Sequence, residues 1–236
     1  MKQTVHDFEQ ELRSAANPAK VKLLSGFFKT GNGTYGEGDI FIGITVPINR
    51  AIARHYLHLS PEELLPMLHS PIHELRLGAL LCMVEQYKNK RISDSRRQEI
   101  FDTYIANTRF INNWDLVDLS VEYIIGTHLL HRDRTLLYQW AASDLLWEQR
   151  MSIVSTWQFI RNGQFDDTIA IAEILRNHPH DLIQKAVGWM LREVGKRDKQ
   201  PLIDFLDKYY KTLPRTLLRY AIEKFTPEER SHYMSK

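Results

Sequence analysis

An aromatic ring and a carboxylate stand one helical turn apart in the segment 110–120, FINNWDLVDLS. Trp114 and Asp118 are four residues apart, so a helix of 3.6 residues per turn places them side by side on one face. Two such side chains could contact one ligand together. The ordinary alternative is a packed tryptophan beside a solvated or capping acid, so the pair indicates a site only if the rest of the chain supports it.

Basic residues gather in the C-terminal half, although the net charge of the chain is only +2. The 31 Lys and Arg residues are nearly balanced by 29 Asp and Glu residues, so composition alone does not predict a polyanionic partner. The pattern is typical either of solvated helix faces or of a phosphate-binding face. The cations that recur at helical spacing are Lys185, Arg192, Lys196, Arg197, Arg215 and Arg219.

Apolar residues recur at helical spacing along almost the whole chain, as in Ile183, Val187, Met190 and Val194. No segment alternates convincingly as a strand would, so we expect about a dozen helices. Several of the breaks between them place a capping residue just before a proline at the first helical turn. The breaks are Asn17-Pro18, Ser60-Pro61, Ser70-Pro71, Asn162-Gly163, Asn177-His178-Pro179, Leu213-Pro214 and Thr226-Pro227.

A longer period underlies the helical pattern. Arg76, Arg150, Lys185 and Arg219 precede small apolar helix faces, and Asn113 fills the gap between the first two, giving spacings of about 37, 37, 35 and 34 residues. This is the length of a two-helix repeat. The period therefore predicts helical hairpins that stack in series, with equivalent helices lining a concave surface that carries the cations.

Tryptophans accompany these repeat positions. Trp147 comes shortly before Arg150, and Trp189 follows Lys185 by four residues. Tryptophans most often serve as buried packing, but flat rings interleaved with cations suit a polyanion whose base or sugar faces are exposed. A repeat scaffold that binds proteins is the alternative from the same residues.

Several other kinds of site are disfavoured. Cys82 is the single cysteine and lies in an apolar run, so it is expected to be a small core residue. The ten histidines include no HExxH pattern, and no GxSxG element is present, so we expect neither a metal site nor covalent hydrolysis. No cofactor is expected.

The glycine-rich segment 29–39, KTGNGTYGEGD, superficially suggests a phosphate-binding loop. It matches neither GxxxxGK[ST] nor a strand-framed GxGxxG, and it carries acids at Glu37 and Asp39. A loop that touches a substrate or becomes ordered on binding, with Tyr35 at its tip, is the better expectation.

The chain is expected to be a soluble, cytoplasmic protein that makes no membrane contact. No apolar run approaches the roughly 18 to 20 residues that cross a bilayer. The start MKQTVHDFEQEL carries charges where a signal peptide would be apolar. The length of 236 residues suits one domain or one repeat array.

Four motifs together resemble the AlkD-type alkylpurine DNA glycosylases, a DNA alkylation repair family built from HEAT-like repeats. They are FIGITVPINR (41–50), NWDLVD (113–118), LWEQR (146–150) and IQKAVGWMLRE (183–193), within a similarity that runs over residues 17–225. The resemblance implies an all-α fold, an α-solenoid of about six HEAT-like two-helix repeats with a concave basic DNA-binding face. The single domain 1–236 would comprise N-terminal helices and the glycine-rich loop (1–50), repeats (51–225) and a C-terminal tail (226–236).

The resemblance also implies an activity. Proteins of this family hydrolyse the N-glycosidic bond of 3-methyladenine and 7-methylguanine in duplex DNA, without a deep base-flipping pocket. By motif, Asp118 matches the catalytic carboxylate, Trp114 and Trp189 match the lesion-contacting aromatics, and Arg150 matches an arginine that grips the DNA backbone. The expected partner is duplex DNA containing alkylated purines, bound by a monomer, with Lys185, Arg192 and Arg219 as further backbone contacts.

The residue types agree with this chemistry. A purine alkylated on a ring nitrogen leaves as a neutral molecule, so one fixed carboxylate can suffice to stabilise the developing positive charge on the sugar. Asn113 stands where the best-known form of the motif has a second tryptophan, and the insert 31–38 changes the N-terminal edge, near Phe27, Tyr35 and Thr45. A non-catalytic HEAT-like scaffold that binds DNA or protein, or a purely protein-binding adaptor, remains the alternative.

Overall fold

The structure, a computed structural model, describes residues 3–235, in which the regular secondary structure is helical and no β-strand occurs. The predicted all-α class is therefore confirmed. Arg54–Tyr56 and Thr108–Phe110 form short 3-10 helices, and Glu122–Gly126 forms one turn of π-helix. The α-helices are α1 (Val5–Ser14), α2 (Pro18–Phe27), α3 (Val46–Ala53), α4 (Pro61–Leu68), α5 (His73–Lys88), α6 (Asp94–Ala106), α7 (Trp114–Asp118), α8 (Thr127–Leu129), α9 (Thr135–Ala141), α10 (Leu146–Ser155), α11 (Trp157–Arg161), α12 (Asp166–Leu175), α13 (Asp181–Gly195), α14 (Lys199–Tyr209), α15 (Arg215–Ala221) and α16 (Pro227–Met234).

Capping residues start helices where the sequence predicts them. Ser60 and Thr226 each form a capping box with a glutamate three residues later, and a proline follows each of them at the first helical position. The break at Ser70-Pro71 differs, because α5 begins only at His73. Backbone pairing delays it: Ile40 N donates to Pro71 O (3.1 Å), and His73 N donates to Ile40 O (2.9 Å).

The helices group into two compact units that divide between Ile124 and Ile125. In the first unit α5 is the central helix, and it contacts α3, α4, α6 and α7. Every side chain of α5 from His73 to Val84 is buried. An element buried on all sides fixes its neighbours, so α5 positions both α7 and the segment that precedes α3.

In the second unit successive helices stack on one another. α9 packs on α10, α10 on α13 and α13 on α15. Gly188 permits the last contact, because a Cβ atom there would lie 2.5 Å from Leu217 O. Serial stacking of hairpin helices is the arrangement of an α-solenoid, the fold class that the sequence predicts. The number of about six repeats, the concave basic face and the single domain over 1–236 stay predictions.

The predicted repeat cations stand at matching places in their helices. Arg150, Lys185 and Arg219 each come four residues after the first residue of α10, α13 and α15, and Arg76 comes three residues after the first residue of α5. The tail that was expected over 226–236 contains a helix, α16. Within residues 3–235, no helix has the length and apolar character needed to cross a membrane.

Candidate active site

The short helix α7 presents Trp114 and Asp118 together, as their spacing predicts. Trp114 begins the helix and Asp118 ends it, and both side chains are half-buried. Asn113, at the N-cap, accepts a hydrogen bond from Trp114 N through its side-chain oxygen (2.8 Å). Both predicted residues line one cleft of the first unit.

The cleft has a volume of about 490 Å³ and a mostly apolar lining. Its walls come from α2, from the segment that leads into α3, from the start of α5 and from α7. A site of this composition, in which aromatic rings stand beside carboxylates, suits a flat ligand that carries positive charge. The lining residues are Leu24, Phe27, Phe28, Phe41, Ile44, Thr45, Val46, His73, Glu74, Trp114, Asp115, Asp118 and Leu119.

A stack of aromatic rings holds the indole of Trp114. Its ring lies on Phe28, with centroids 5.1 Å apart and planes 23° from parallel, and Phe28 lies in turn on Phe41 at 5.0 Å and 13°. Phe27 meets the indole edge to face at 5.7 Å and is itself 60% exposed. Rings in such contacts have little freedom to turn, so the orientation of Trp114 is set before any ligand binds.

A buried polar network adjoins the cleft. The ring nitrogens of His73 bond to two acids at once, Nδ1 to Asp39 Oδ2 and Nε2 to Asp115 Oδ2, each at 2.9 Å. Arg76 Nη2 donates to Asp39 Oδ1 (2.5 Å), and Asn113 Nδ2 donates to Asp39 Oδ2 (3.1 Å). The network therefore ties the end of the glycine-rich loop to α5 and α7.

The network is charged at neutral pH. Burial favours the neutral imidazole of His73, but the hydrogen bonds and charges of Asp115 and Asp39 outweigh it and raise its pKa to about 8. Burial likewise opposes ionisation of Asp39, yet the His73 hydrogen bond and the Arg76 guanidinium hold the pKa of this carboxyl below its usual range. An imidazolium thus lies between carboxylates under the cleft.

A third buried acid, Glu74, holds the segment that leads into α3. Glu74 Oε1 accepts hydrogen bonds from the backbone amides of Ile42 (3.1 Å), Gly43 (2.8 Å) and Ile44 (3.2 Å). Gly43 has φ +92°, and a Cβ atom there would lie 2.0 Å from Asn17 O, so only glycine fits. Within the FIGITVPINR motif, Gly43 therefore has a structural role, whereas Phe41, Ile44, Thr45 and Val46 line the cleft.

One predicted surface cation is corrected by these contacts. The repeat pattern places Arg76 among cations on a concave surface, but the residue is 4% exposed and its guanidinium serves Asp39 and Ser70 O. The expectation was wrong because Asp39, 37 residues away in sequence, takes up its charge.

Trp189 and Arg150 lie in the second unit. Trp189 is half-buried, and its ring meets Trp157 at 4.9 Å with planes 66° apart. Arg150 is 6% exposed, and Nη1 donates to Leu182 O (2.6 Å), so its guanidinium joins α10 to α13. The expectation that the repeat pattern places this cation on the surface was therefore wrong for Arg150 as well as for Arg76. The lesion contact of Trp189 and the DNA backbone contact of Arg150 stay predictions.

The remaining predicted cations of the second unit are accessible. Lys185 Nζ bonds to Asp181 (2.8 Å) on its own helix, and Arg192 pairs with Glu223. Arg219 is exposed on α15. Surface ion pairs of this kind are worth little and exchange readily for a phosphate, so these contacts leave the predicted backbone roles open.

The glycine-rich loop is held by its own turns. Thr34 Oγ1 donates to Gly31 O (2.6 Å), and Gly33 N donates to a carboxylate oxygen of Glu37 (2.9 Å). The ammonium of Lys29 lies 5.8 Å from the centroid of the Tyr35 ring. A substrate contact by Tyr35 stays a prediction, whereas Phe27 and Thr45, from the same N-terminal region, do line the cleft.

The other titratable candidates are less informative. Cys82 is buried as predicted, and burial raises the pKa of its thiol to about 12. Within the described part of the chain, no three His, Cys, Asp or Glu side chains are grouped so that they could hold a metal ion.

Sequence reasoning missed the residues that support the pair on α7, namely His73, Asp39, Asp115 and Glu74. The signal that could have found them is an acid or histidine inside otherwise apolar runs, as in SPIHELRLGALL.

The fold and the cleft define an all-α protein with an aromatic and acidic site. The profile of the DNA alkylation repair enzyme family matches residues 8–225, and the chain belongs to that family. A solved structure, the predicted DNA alkylation repair enzyme from Enterococcus faecalis, shares the fold with a TM-score of 0.69 and 17% sequence identity, over 90% of this chain and 97% of that one. No curated protein matches the chain. Membership supports an enzymatic role in DNA repair.

Proposed function

We propose that this protein is a DNA glycosylase that removes cationic alkylated purines, 3-methyladenine and 7-methylguanine, from duplex DNA. The observation that carries the proposal is the cleft of the first unit, where Trp114 and Asp118 face one apolar space. Family membership adds the DNA repair role. The proposed reaction is hydrolysis of the N-glycosidic bond, and it uses no cofactor and no deep base-flipping pocket.

Asp118 is the proposed catalytic group. When an alkylated purine leaves, the electrons of the N-glycosidic bond neutralise its positive charge, so no general acid is required. The barrier then lies in the cationic deoxyribose, which a carboxylate stabilises electrostatically while it orients the attacking water. A carboxylate in a mostly apolar cleft acts more strongly than one in bulk water, because fewer solvent dipoles screen it.

Trp114 is the proposed selectivity element. The negative face of an indole attracts a cationic ring by about 0.5 to 2 kcal/mol, depending on desolvation. An unmodified purine can stack on the indole but carries no charge, so it lacks this additional attraction. The stack of Phe28 and Phe41 holds the indole in place, so the attraction costs little reorganisation.

Residues of the second unit are proposed to contact DNA. Trp189 would meet the lesion and Arg150 a phosphate, as the motifs imply, and the basic helix faces would add phosphate contacts from Lys185, Arg192 and Arg219. Contacts of this kind release counterions, so affinity should fall as salt rises.

The decisive measurement is release of 7-methylguanine from methylated duplex DNA. We expect Asp118→Asn and Trp114→Ala to lose activity, and Asp102→Asn, which alters an exposed acid on α6, to retain it. Parent-like rates in both cleft variants would sink the assignment.

The same assay separates the alternatives. A non-catalytic scaffold would bind duplex DNA in a salt-dependent manner yet release no base. A protein-binding adaptor would show no affinity for the duplex.

A further inference from the structure

His73 connects three distant segments of the first unit. It stands at the start of α5, and its two ring nitrogens reach Asp39, 34 residues earlier, and Asp115, 42 residues later. It is 1% exposed, and its ring also stacks on Phe41 (4.5 Å) and Phe28 (5.1 Å). Polar and aromatic contacts to α7 thus meet at one side chain.

We propose that His73 is a positioning residue for the α7 site: by bonding Asp39 and Asp115 at once, it fixes the orientation in which Trp114 and Asp118 face the cleft. The inference rests on the proposed function for its consequence in catalysis. Its structural part, the coupling of His73 to Trp114, can be tested without any substrate.

Asp115 transmits the effect to α7. It follows Trp114 directly, and its other carboxylate oxygen, Oδ1, accepts a hydrogen bond from Leu116 N (2.8 Å). One carboxylate therefore receives the imidazole on one oxygen and the helix backbone on the other. A helix of five residues has few internal hydrogen bonds, so such an external anchor decides its orientation.

The aromatic stack provides a second route by which His73 affects the orientation of Trp114. Phe28 contacts the ring of His73 on one side of the stack and the indole of Trp114 on another. A shift of the imidazole moves Phe28, and Phe28 cannot move without turning the indole. The polar and aromatic routes end at adjacent residues.

Two acceptors require two donors. A neutral imidazole has a single N–H group, so only the imidazolium can donate to Asp39 and Asp115 together. Loss of the proton would leave one carboxylate facing a lone pair. The charged and polar groups that bond to the ring or to its two partners are Asp39 from the glycine-rich loop, Arg76 from α5, Asn113 from the N-cap of α7 and Asp115 from α7. Glu74, which follows His73 in α5, bonds instead to the backbone amides of residues 42–44.

His73 is not proposed to exchange protons with the substrate. Both of its nitrogens are engaged, and the side chain is almost fully buried. Its role is therefore distinguished from that of Asp118 by what a substitution changes: the rate of the chemical step should fall while DNA affinity stays constant.

The first experiment measures single-turnover release of 7-methylguanine and duplex binding in parallel. In His73→Gln we expect the rate constant to fall about tenfold with a change in Kd below about twofold. His69→Gln is the matched control, because His69 is exposed just after α4, hydrogen-bonds to Asn107 and stacks on Phe110, and does not line the cleft. Asp115→Asn provides a second variant, expected to behave like His73→Gln.

The pH profile adds a readout that a merely structural role would not move. The ratio of wild-type to His73→Gln rates should decline above about pH 8, where the imidazolium loses its proton. Any titration of the DNA itself is common to both proteins and cancels in the ratio. A ratio that is flat from pH 6 to 9 would overturn the proposal.

The second experiment needs no DNA and is read out in the wild-type protein, with one variant used only to assign a signal. In ¹H–¹⁵N spectra of the wild-type protein, the indole N–H signal of Trp114, assigned with Trp114→Phe, should titrate with the same midpoint as the ring signals of His73. The indole signal of Trp140, buried in the second unit, is the internal control and should not follow them. A Trp114 signal indifferent to the His73 titration would refute the coupling.

The two arms keep the inference separate from the proposed function. If the wild-type protein releases no base, the proposed function fails, while the spectra still decide whether His73 positions Trp114. If base release is present but His73→Gln and Asp115→Asn match the wild type, the positioning role fails and the function stands.

Discussion

Charge is used in opposite ways at α7 in the first unit and at α13 in the second. Around α7 the ionised groups are buried and multiply bonded, as Asp39 is by His73, Arg76 and Asn113. On α13 the cation of Lys185 lies at the surface and pairs with an acid of its own helix. Buried groups of this kind fix geometry, whereas surface cations remain available to a polyanion.

Helical register alone therefore does not determine whether a basic side chain is buried or lies at the surface. Arg76 and Lys185 occupy similar positions in their helices, and both belong to the same sequence period. Arg76 is buried because an acid from a distant loop reaches it, whereas Lys185 pairs with Asp181, one turn away on its own helix.

If the chemistry belongs to the first unit, Asp118→Asn should have the largest effect of any single change. The amide keeps the shape of the carboxylate but not its charge, so base release should slow by about 100-fold or more. Single-turnover assays on methylated duplex DNA measure it, with Asp102→Asn as the control. A loss below about threefold would contradict the assignment of the chemistry to Asp118 in the first unit.

A substitution at Gly43 tests the rigidity of the cleft wall. An added methyl group would enforce an unfavourable positive φ and collide with Asn17 O, so Gly43→Ala should lower the free energy of unfolding by about 2 to 3 kcal/mol. Urea unfolding measures the change. Gly31→Ala, where a Cβ atom meets nothing within 4 Å, should leave stability nearly unchanged.

The buried charges should also make stability depend on pH. Because folding raises the pKa of His73 from its ordinary 6.5 to about 8, its contribution is complete below about pH 6.5 and is lost as the pH rises through 8. The loss is about 2 kcal/mol. For Asp39, whose pKa is lowered, the contribution is lost as the pH falls instead.

Urea unfolding between pH 6 and 9 checks the His73 contribution. The slope should vanish in His73→Gln and persist in His69→Gln. The same alkaline slope in His73→Gln would assign it to another group.

The smallest effects on stability are expected for surface cations of the second unit, in contrast to the buried Arg150. Lys185→Gln and Arg219→Gln should alter stability by less than about 0.5 kcal/mol, because they remove exposed charges. Arg150→Gln should cost about 1 to 3 kcal/mol, since it removes a buried donor to Leu182 O. Calorimetry measures these values.

DNA binding completes that test. Each cation that contacts a phosphate should contribute about one to the slope of log Kd against log salt, so single variants should lower the slope by about one. If Lys185→Gln, Arg219→Gln and Arg150→Gln all leave the salt slope unchanged, the second unit does not belong to the proposed DNA interface.

Local features were predictable from the sequence, and distant ones were not. The spacing of Trp114 and Asp118 predicts their shared face because four residues span one helical turn. Ser60 and Thr226 start helices because a cap acts within three residues. Such features depend on neighbours that the sequence places side by side.

The support of the site depends on pairing across the chain. His73 meets acids 34 and 42 residues away, and Glu74 receives the amide of Gly43 from 31 residues away. Helical periodicity reports which face is buried but not which partner a buried acid finds. For that reason the sequence presents His73 only as one of ten histidines without a metal pattern, and Asp39 only as an acid that argues against nucleotide binding.

The anchoring of Asp39 has a consequence for how this protein could diversify. The glycine-rich loop ends at a residue clamped by three partners, while Gly31, Asn32 and Gly33 are exposed and held only within the loop. Insertions or deletions in 31–33 would therefore be absorbed before they reach the α7 residues. The length of the loop could therefore change, in evolution or by design, without displacing Trp114 and Asp118.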